Sequence, residues 1–212
     1  MHIAITGNIG AGKTTLATKL AEHYGWEVLF EAVDGNPYLP PFYEDMRKWS
    51  FHLQIYFLNS RFEQVLKIKN QTEKTIIQDR SIYEDAYIFA RNLYEQGNMN
   101  ETDYQTYRSM FNTIMQAISP PDLMIYLQAD LPKLLRQIKK RGRDFEANID
   151  PNYLNGLNHL YEDFINLYDH GKLLVINVNE LDFAEHDHDF KYITEIIDKN
   201  INLGTQLEMP II

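Results

Sequence analysis

Apolar and polar positions divide the chain into two kinds of segment. Short runs that are almost continuously apolar, such as LMIYL and LLVINV, are separated by longer amphipathic stretches. Apolar runs of this length are typical of strands that are buried on both faces of a parallel sheet. They predict strands at His2–Thr6, Trp26–Glu31, Thr75–Asp79, Leu123–Leu127 and Leu173–Val178.

The amphipathic stretches between these runs have the length and periodicity of helices. They predict helices at Lys13–Tyr24, Glu44–Asn70, Tyr83–Glu95, Glu101–Ile118, Leu131–Arg141, Pro151–Asp169 and Asp187–Asn200. Two of the starts carry capping signals, Asn100 before ETDY and Asp150 before Pro151. Strands that alternate with helices imply right-handed crossovers, so the pattern predicts a three-layer α/β fold with a five-stranded parallel sheet.

The domain organisation follows from length and from the even pattern. The chain has 212 residues, 44% of them hydrophobic, which is enough for one packed core. We find no repeat, low-complexity tract or linker, and we expect one domain over residues 1–205 with a C-terminal tail over 206–212. The apolar end of that tail could pack on the body or on a second subunit, and we expect a homodimer.

Composition and charge narrow the possible functions. The absence of cysteine excludes disulfide scaffolds, thiolate metal sites and cysteine nucleophiles. A net charge of −10 disfavours nucleic acid and anionic lipid surfaces as partners. No stretch approaches a membrane-spanning length without charges, and no basic segment precedes the first strand. We therefore expect a cytoplasmic protein that binds small molecules, with no nucleic acid and no membrane partner.

The first predicted strand leads into GNIGAGKTT, which fits the phosphate-binding pattern GxxxxGK(S/T). Glycines let backbone N–H groups surround an anion, and the following helix presents its positive end. An ordinary glycine-rich turn is the alternative, but a strand before the loop and a helix after it favour a P-loop. We expect Lys13 to reach the terminal phosphates of ATP and Thr14 to bind Mg²⁺. The loop residues are Gly7, Asn8, Ile9, Gly10, Ala11, Gly12, Lys13, Thr14 and Thr15.

A P-loop identifies a nucleoside triphosphate and leaves the use of that triphosphate open. A GTPase would carry DxxG after the third strand and NKxD further on, whereas this chain has QDRSIY and no NKxD. Motor and remodelling ATPases are usually longer and use arginine fingers from neighbouring subunits. A small kinase, which binds its acceptor beside the P-loop, is the class that remains.

Charged residues follow two of the predicted strands where those strands end. Glu31 closes the second strand, and Asp79 and Arg80 close the third. Open α/β sheets bind ligands at this carboxyl edge. There Glu31 could orient and deprotonate a hydroxyl, Asp79 could hold Mg²⁺ or act as the base, and Arg80 could neutralise a transferring phosphoryl group. A solvated glutamate and a structural Asp–Arg pair are the alternatives.

Two further segments carry charge. In KKRGRDFE, at the end of a predicted helix, Arg141 and Arg143 could close over the phosphates as a lid. A solvated helix end or a nucleic-acid patch are the alternatives, and the negative net charge disfavours the nucleic-acid patch.

The segment EHDHD at 185–189 could suggest a metal site, but a charged loop before a helix is more often solvated.

Taken in order, several of these segments resemble the deoxyribonucleoside kinase family, which includes deoxycytidine, deoxyguanosine and deoxyadenosine kinases. The resemblance covers nearly the whole chain, and its longest motifs are more specific than a P-loop. It implies a P-loop kinase fold and transfer of the ATP γ-phosphate to a nucleoside 5′-hydroxyl, with Mg²⁺. The motifs are GNIGAGKTT, Glu31, WSFHLQIYFLNSR, DRSIYEDAYIFARNLYEQG and RGRDFE.

The resemblance also implies roles for individual residues. Glu31 matches the carboxylate on the 5′-hydroxyl, Asp79 a second candidate base, and Arg80 the arginine near the 5′-oxygen. The family's base contacts fall on Gln54, Arg61, Asp85 and Phe89, its 3′-hydroxyl contacts on Tyr43 and Glu146, and its donor-base loop faintly on Leu181, Asp182 and Phe183. Some members of the family have a further lid arginine, and Gln137 stands at that position here, with Arg136 adjacent. Either Arg136 substitutes for that arginine or the lid binds the phosphates less tightly.

The preferred base is predicted from the same residues. A buried glutamine presents a donor and an acceptor, which suits adenine or cytosine. Arg61 and Asp85 suit bases with amino groups, while Leu53 and Phe57, together with the stacking aromatic, leave little room for the thymine methyl group. Core packing is an equally good explanation for Phe57. We expect deoxyadenosine to be favoured, with deoxyguanosine or deoxycytidine possible.

Two alternatives remain open at this point. A nucleoside monophosphate kinase of the thymidylate kinase type would need an arginine before the acidic residue that ends the second strand, and Phe30 stands there. A non-catalytic nucleotide-binding regulator would be expected to lack Glu31, Asp79 or the lid arginines, and all are present.

Overall fold

The computed structural model describes residues 1–71, 73–146 and 149–202. Within these residues, five parallel strands form one sheet in the order β2-β3-β1-β4-β5. The strands are β1 (His2–Thr6), β2 (Glu27–Leu29), β3 (Ile76–Asp79), β4 (Leu123–Gln128) and β5 (Lys172–Asn177). The predicted α/β class and parallel sheet are confirmed, while the predicted end of the domain at 205 and the tail lie outside the described residues.

The central strand β1 is buried along its whole length and pairs on both sides. Ile3 lies opposite Ile77 of β3 and Leu123 of β4. The strands β1, β3 and most of β4 are buried on both faces, as their continuous apolar runs predict. The residues that follow β1 and β3 therefore emerge side by side at one edge of the sheet.

The two edge strands differ from the prediction. In β5 the side chains alternate: Leu174 and Ile176 are buried, but Val175 between them is 46% exposed. The prediction that the run in β5 is buried on both faces is therefore wrong, because the face that carries Val175 is partly open to solvent. Strand β2 is shorter than predicted, and Trp26, placed at its start, stacks instead on Tyr24 with ring centroids 4.1 Å apart.

Helices cover both faces of the sheet. They are α1 (Lys13–Tyr24), α2 (Leu39–Glu44), α3 (Met46–Lys69), α4 (Ile82–Glu84), α5 (Arg91–Glu95), α6 (Glu101–Met115), α7 (Leu131–Arg141), α8 (Pro151–Leu167) and α9 (Asp187–Asn202). The predicted caps are present: the Asn100 side chain accepts from Asp103 N at 2.9 Å, and that of Asp150 accepts from Asn152 N at 2.8 Å.

The helix predicted over Glu44–Asn70 is divided in two. Asp45 leaves the helical conformation at φ −147° and ψ 84°. Its side chain accepts a hydrogen bond from Lys48 N at 3.1 Å and so caps α3. The preceding α2 begins with a proline in its first turn, a position that proline favours. The chain therefore turns before α3, and this turn places the end of α2 beside the carboxyl edge of the sheet.

The helix predicted over Tyr83–Glu95 contains a π-helix between α4 and α5, at Asp85–Ala90. A π-helix widens the turn by one residue and frequently occurs at functional sites. Apolar periodicity alone does not distinguish it from an α-helix. Asp85 and Phe89, four residues apart in this segment, both line the cavity.

Two apolar clusters complete the three layers. One joins α1 and α9 to one side of the sheet, and the other joins α3, α6, α8 and the π-helix to the opposite side. A cavity of about 550 Å³ opens at the carboxyl edge between them. Across the described part of the chain, no helix has the length and apolar character that a membrane span needs.

Candidate active site

The P-loop lies between β1 and α1, and its glycines are required by both conformation and space. Gly10 and Gly12 have φ of +87° and +95°. A Cβ atom at Gly12 would stand 2.8 Å from Cζ of Phe183, and one at Gly10 would stand 2.8 Å from the Leu134 carbonyl oxygen. Side chains at these positions would strain the loop and push it away from its supports.

The predicted loop residues separate into two sets. The cavity is lined by Ile9, Gly10, Gly12, Lys13, Thr14 and Thr15. Asn8 and Ala11 are buried outside that lining, and so is Gly7. The Asn8 side chain donates to the Leu154 carbonyl at 3.0 Å and to Asn158 Oδ1 at 2.5 Å. Asn8 therefore anchors the loop to α8.

Lys13 is buried and points along the loop. Its Nζ donates to the carbonyl oxygens of Gly7 at 2.8 Å and Asn8 at 3.0 Å. Burial, followed by the positive charge of Arg80, lowers the pKa of Lys13 to about 7, although Asp79 opposes this. A bound phosphate would supply the negative charge that favours the protonated amine.

Thr14 and Asp79 meet where a metal ion is expected. Thr14 Oγ1 donates to Asp79 Oδ2 at 2.5 Å. Asp79 Oδ1 is buried and has no hydrogen-bond partner among the described residues. Burial raises the pKa of Asp79, with Lys13 opposing the shift and Glu31 adding to it. A hydroxyl beside a carboxylate with an unused oxygen fits the hard-oxygen coordination of Mg²⁺.

Glu31 lies two residues beyond β2 and is held by two arginines. Its Oε1 is 2.7 Å from Arg80 Nε and 2.9 Å from Arg61 Nη2. Burial alone would raise the pKa of Glu31, but the charges of Arg80, Arg61 and Lys13 outweigh it and lower the pKa to about 2. The carboxylate is thus ionised at neutral pH and lines the cavity.

Arg80 lies between the triphosphate side and the acceptor side of the site. It is buried, with φ of 78°, an uncommon conformation for a residue other than glycine. Its guanidinium lies over the Phe89 ring, 4.5 Å from the centroid. Besides Glu31, it contacts Glu84, whose Oε1 is 3.1 Å from Nη1. Burial alone would lower the pKa of Arg80, but the charges of Glu31, Glu84 and Asp79, with Tyr161, together raise it well above its ordinary value, so the guanidinium stays charged.

Most of the predicted base contacts share the cavity with the P-loop. Gln54, Asp85 and Phe89 line it, together with Leu53 and Phe57. Gln54 Oε1 is buried with no hydrogen-bond partner in the described ranges, which leaves it available to a ligand donor. Burial raises the pKa of Asp85 to about 7 against the opposing charges of Arg61 and Arg80.

Arg61 is fully buried beside this pocket and is not among the residues that line the cavity. It donates to the Asp79 carbonyl at 3.2 Å and to Glu31, and its Nε lies 3.4 Å from Asp85 Oδ2. In this structure it connects Glu31 to Asp85 of the predicted base pocket.

The predicted sugar contacts and lid meet at Glu146. Tyr43 and Glu146 both line the cavity. Arg141 Nη2 contacts Glu146 Oε2, and Arg143 Nη1 donates to Glu146 Oε1 at 3.5 Å. Both lid arginines therefore lie on one buried carboxylate. At the position of the further lid arginine, Gln137 lines the cavity while Arg136 is exposed and is not part of the lining, which favours the looser lid.

The predicted donor-base loop is placed differently from its motif. Phe183 is buried against Gly12, and Asp182 N donates to Asp189 Oδ2 at 2.7 Å. The side chains that line the cavity are those of Ala184 and Glu185, the next two residues.

Two buried residues of the site were missed by sequence reasoning. Glu84 and Tyr161 are fully buried directly behind Arg80. The spacing Ser81-x-x-Glu84 is a capping-box signal that could have indicated a structural role for the glutamate. No local pattern could have joined Tyr161 to it, because the two residues are 77 positions apart.

The fold and this edge of the sheet define a P-loop kinase, with a triphosphate site and an acceptor pocket sharing one cavity. A family model described as deoxynucleoside kinase matches residues 3–202. The chain therefore belongs to the deoxynucleoside kinase family and is an ATP-dependent phosphotransferase. Neither a monophosphate kinase nor a non-catalytic regulator is supported.

Individual relatives agree with this assignment. The chain is 38% identical over 197 residues to a deoxyadenosine/deoxycytidine kinase of Bacillus subtilis (strain 168), covering 92% of this chain and 90% of the relative. It is 43% identical over 185 residues to a deoxyadenosine kinase of Dictyostelium discoideum, covering 87% and 74%. A structure of deoxyadenosine kinase from M. mycoides with products dCMP and a flexible dCDP bound matches with a TM-score of 0.83 and 35% identity, covering 94% and 100%.

Proposed function

We propose that this protein transfers the γ-phosphate of ATP to the 5′-hydroxyl of a deoxyribonucleoside, with deoxyadenosine preferred over deoxyguanosine and deoxycytidine. The observation that carries the proposal is Glu31, an ionised carboxylate that lines the cavity while two arginines hold it. A carboxylate in this position suits a neutral hydroxyl acceptor and repels a second phosphate.

The geometry divides the chemistry between two carboxylates. Asp79 contacts Thr14 and belongs to the metal side, whereas Glu31 contacts Arg80 and belongs to the acceptor side. Mg²⁺, when bound, neutralises charge on the triphosphate. Glu31 receives the hydroxyl proton as the 5′-oxygen forms a bond to the γ-phosphorus and the bond to the β-bridging oxygen breaks. Arg80 stabilises the charge that develops between them.

The choice of base rests on Gln54 and Asp85. The unpartnered Gln54 oxygen can accept from an exocyclic amino group, and the Gln54 amide can donate to a ring nitrogen. Asp85 adds a second acceptor with Arg61 behind it. Adenine and cytosine offer this donor–acceptor edge and thymine does not. The names of the Bacillus subtilis and Dictyostelium discoideum relatives both include deoxyadenosine, which supports placing it first.

Phe30 supports a neutral acceptor, a nucleoside, over a charged nucleoside monophosphate. It is 48% exposed, lines the cavity, and stands where a monophosphate kinase of the thymidylate kinase type carries an arginine. A monophosphate brings about two negative charges near neutral pH and needs a fixed cation. Arg80 is occupied by Glu31 and Glu84, so the site favours the nucleoside.

A substrate panel at one fixed ATP concentration tests the proposal. ADP release is measured with deoxyadenosine, deoxyguanosine, deoxycytidine and thymidine, and without nucleoside as the control. We expect deoxyadenosine to give the highest kcat/KM and thymidine the lowest. A parallel assay compares deoxyadenosine with its 5′-monophosphate. Thymidine as the best substrate, or faster turnover of the monophosphate, would overturn the proposal.

We further infer a cytoplasmic, Mg²⁺-dependent homodimer. Leu66 on α3 and Met110 on α6 are partly exposed apolar side chains on two helices that pack together, and they support the proposal of a second subunit. Light scattering on the purified protein measures the oligomeric state, and ADP release with and without EDTA measures the metal requirement.

A further inference from the structure

A closed hydrogen-bond cluster lies behind Arg80, on the side away from the cavity. Tyr161 OH lies 2.8 Å from the Gly7 carbonyl oxygen, 2.6 Å from Glu84 Oε1 and 2.8 Å from Arg80 Nη1. Glu84 Oε1 also accepts from Gly7 N at 3.3 Å, and Oε2 accepts from Ser81 N at 2.7 Å. Glu84 and Tyr161 are completely buried, and neither lines the cavity.

We propose that Glu84 and Tyr161 are positioning residues that fix Arg80 on the acceptor oxygen and lock it to the first glycine of the P-loop. The inference rests on the proposed function, because Arg80 must act in phosphoryl transfer for its position to matter. The pair touches both backbone polar groups of Gly7 and the guanidinium of Arg80. The pair therefore connects the P-loop, which is expected to bind the phosphate donor, to Arg80, which is expected to act at the acceptor oxygen.

The charge balance explains why a carboxylate is needed behind Arg80. Without Glu84, the guanidinium would have Glu31 as its main partner and would be drawn wholly toward it. Glu31 must be able to exchange that ion pair for the hydroxyl proton of the substrate. Glu84 supplies a second negative charge that is surrounded by four donors and faces away from the substrate. It therefore holds Arg80 without competing at the reacting atoms.

The backbone at Arg80 requires such a support. Its positive φ of 78° is a conformation that a residue with a side chain rarely adopts. Arg80 N donates to the Ile5 carbonyl at 2.9 Å, which continues the pairing of β1 and β3 one residue beyond Asp79. Glu84 and Tyr161 fix the other end of the residue, so both backbone and guanidinium are held from behind the sheet edge.

The test measures steady-state kinetics of Glu84→Gln and Tyr161→Phe. Glu84→Gln keeps the shape but removes the charge, and Tyr161→Phe removes one hydroxyl. We expect kcat to fall on the order of tenfold to a hundredfold in each, because displaced catalytic groups cost that much. KM for ATP and nucleoside should stay within about threefold, since neither residue touches the cavity. Glu84→Asp, which restores the charge, should recover part of the lost kcat.

Tyr126→Phe is the matched control. The Tyr126 ring stacks on Tyr161 at 5.7 Å, and its hydroxyl is not part of the cluster among the described residues. This variant should retain kcat within about twofold. A folded Glu84→Gln and a folded Tyr161→Phe that both turn over like the wild type would overturn the proposal.

A double-mutant cycle with Arg80→Lys separates positioning from a general loss of stability. If Tyr161 acts through Arg80, adding Tyr161→Phe to Arg80→Lys should lower kcat by less than about twofold further. If the fall in kcat of the double variant equals the product of the falls in the two single variants, the inference is contradicted. A wild-type protein inactive on every nucleoside would sink the proposed function itself, which distinguishes that failure from this one.

Discussion

The floor and the lid of the cavity hold their positive charges in opposite ways. We call the P-loop residues 7–15 with Asp79 and Arg80 the floor, and residues 139–146 the lid. In the floor, Lys13 and Arg80 are almost fully buried and each contacts several fixed partners. In the lid, the Arg141 and Arg143 side chains are about one-third exposed, and both lie on the single carboxylate of Glu146.

This difference indicates separate roles for the floor and the lid. The floor side chains are held by fixed partners before any substrate arrives, and such preorganisation is the arrangement that stabilises a transition state most strongly. The lid charges are neutralised by a residue that is itself expected to bind the sugar. A nucleoside that contacts Glu146 would compete for it with the arginines and so free them for the phosphates.

The largest effect should come from removing a floor charge. Lys13→Met should lower kcat by about 10³-fold, because a buried cation aimed at the transferring phosphate is lost. Lys74→Met, at an exposed lysine paired with Glu27, is the control and should be neutral. Coupled ADP release measures both. A loss of only a few-fold at Lys13 would show that the lid, rather than the floor, carries the stabilisation.

Glu31 and the floor carboxylate Asp79 should have the next largest effect. Glu31→Gln should lower kcat by about 10²-fold or more, since it removes a base and keeps the shape. Asp79→Asn tests the other candidate, and its activity should depend more steeply on Mg²⁺ concentration because Asp79 contacts Thr14. Titration with Mg²⁺ at saturating ATP separates the two. Near wild-type turnover in both variants would refute the mechanism.

A smaller effect is expected at the lid. Glu146→Gln should raise KM for deoxyadenosine by about tenfold, because a charged hydrogen bond to the 3′-hydroxyl is lost. The analogue 2′,3′-dideoxyadenosine, which differs from deoxyadenosine only in lacking that hydroxyl, should bind weakly to the wild type, and the substitution should change its KM little. Equal increases for both nucleosides would mean that Glu146 acts only by holding Arg141 and Arg143.

The smallest expected effect is the uptake of a proton when ATP binds. The pKa of Lys13 is lowered to about 7 in the free protein, so at pH 8 most of its amine is neutral. Binding of ATP supplies negative charge and restores the ordinary, higher pKa. ATP binding at pH 8 should therefore take up close to one proton, and at pH 6 close to none. Calorimetry in two buffers of different ionisation enthalpy measures this, and Lys13→Met should abolish the pH 8 uptake.

The sequence predicts well whatever depends on one strand and the turn after it. The P-loop follows β1, and Glu31 and Asp79 follow β2 and β3. Parallel strands deliver their carboxyl ends to one edge, so pattern and topology together bring these residues into one cavity.

What the sequence does not predict depends on contacts across long separations or on helix geometry. Apolar periodicity predicts an ordinary α-helix over Asp85–Ala90, whereas the structure has the wider turn of a π-helix there. The motif places Phe183 at the donor base, but its apolar ring is buried more favourably against Gly12. Tyr161 belongs to a helix whose pattern shows only that the side chain is buried.

The central position of β1 has a consequence for how the chain acquires its fold during synthesis. Of the five strands this one is translated first, yet its partners are residues 76–79 on one side and 123–126 on the other. Translation must therefore proceed at least to the fourth strand before both flanks of β1 are covered. Until then an apolar segment made for burial stays uncovered, which slows folding and exposes the nascent chain to association.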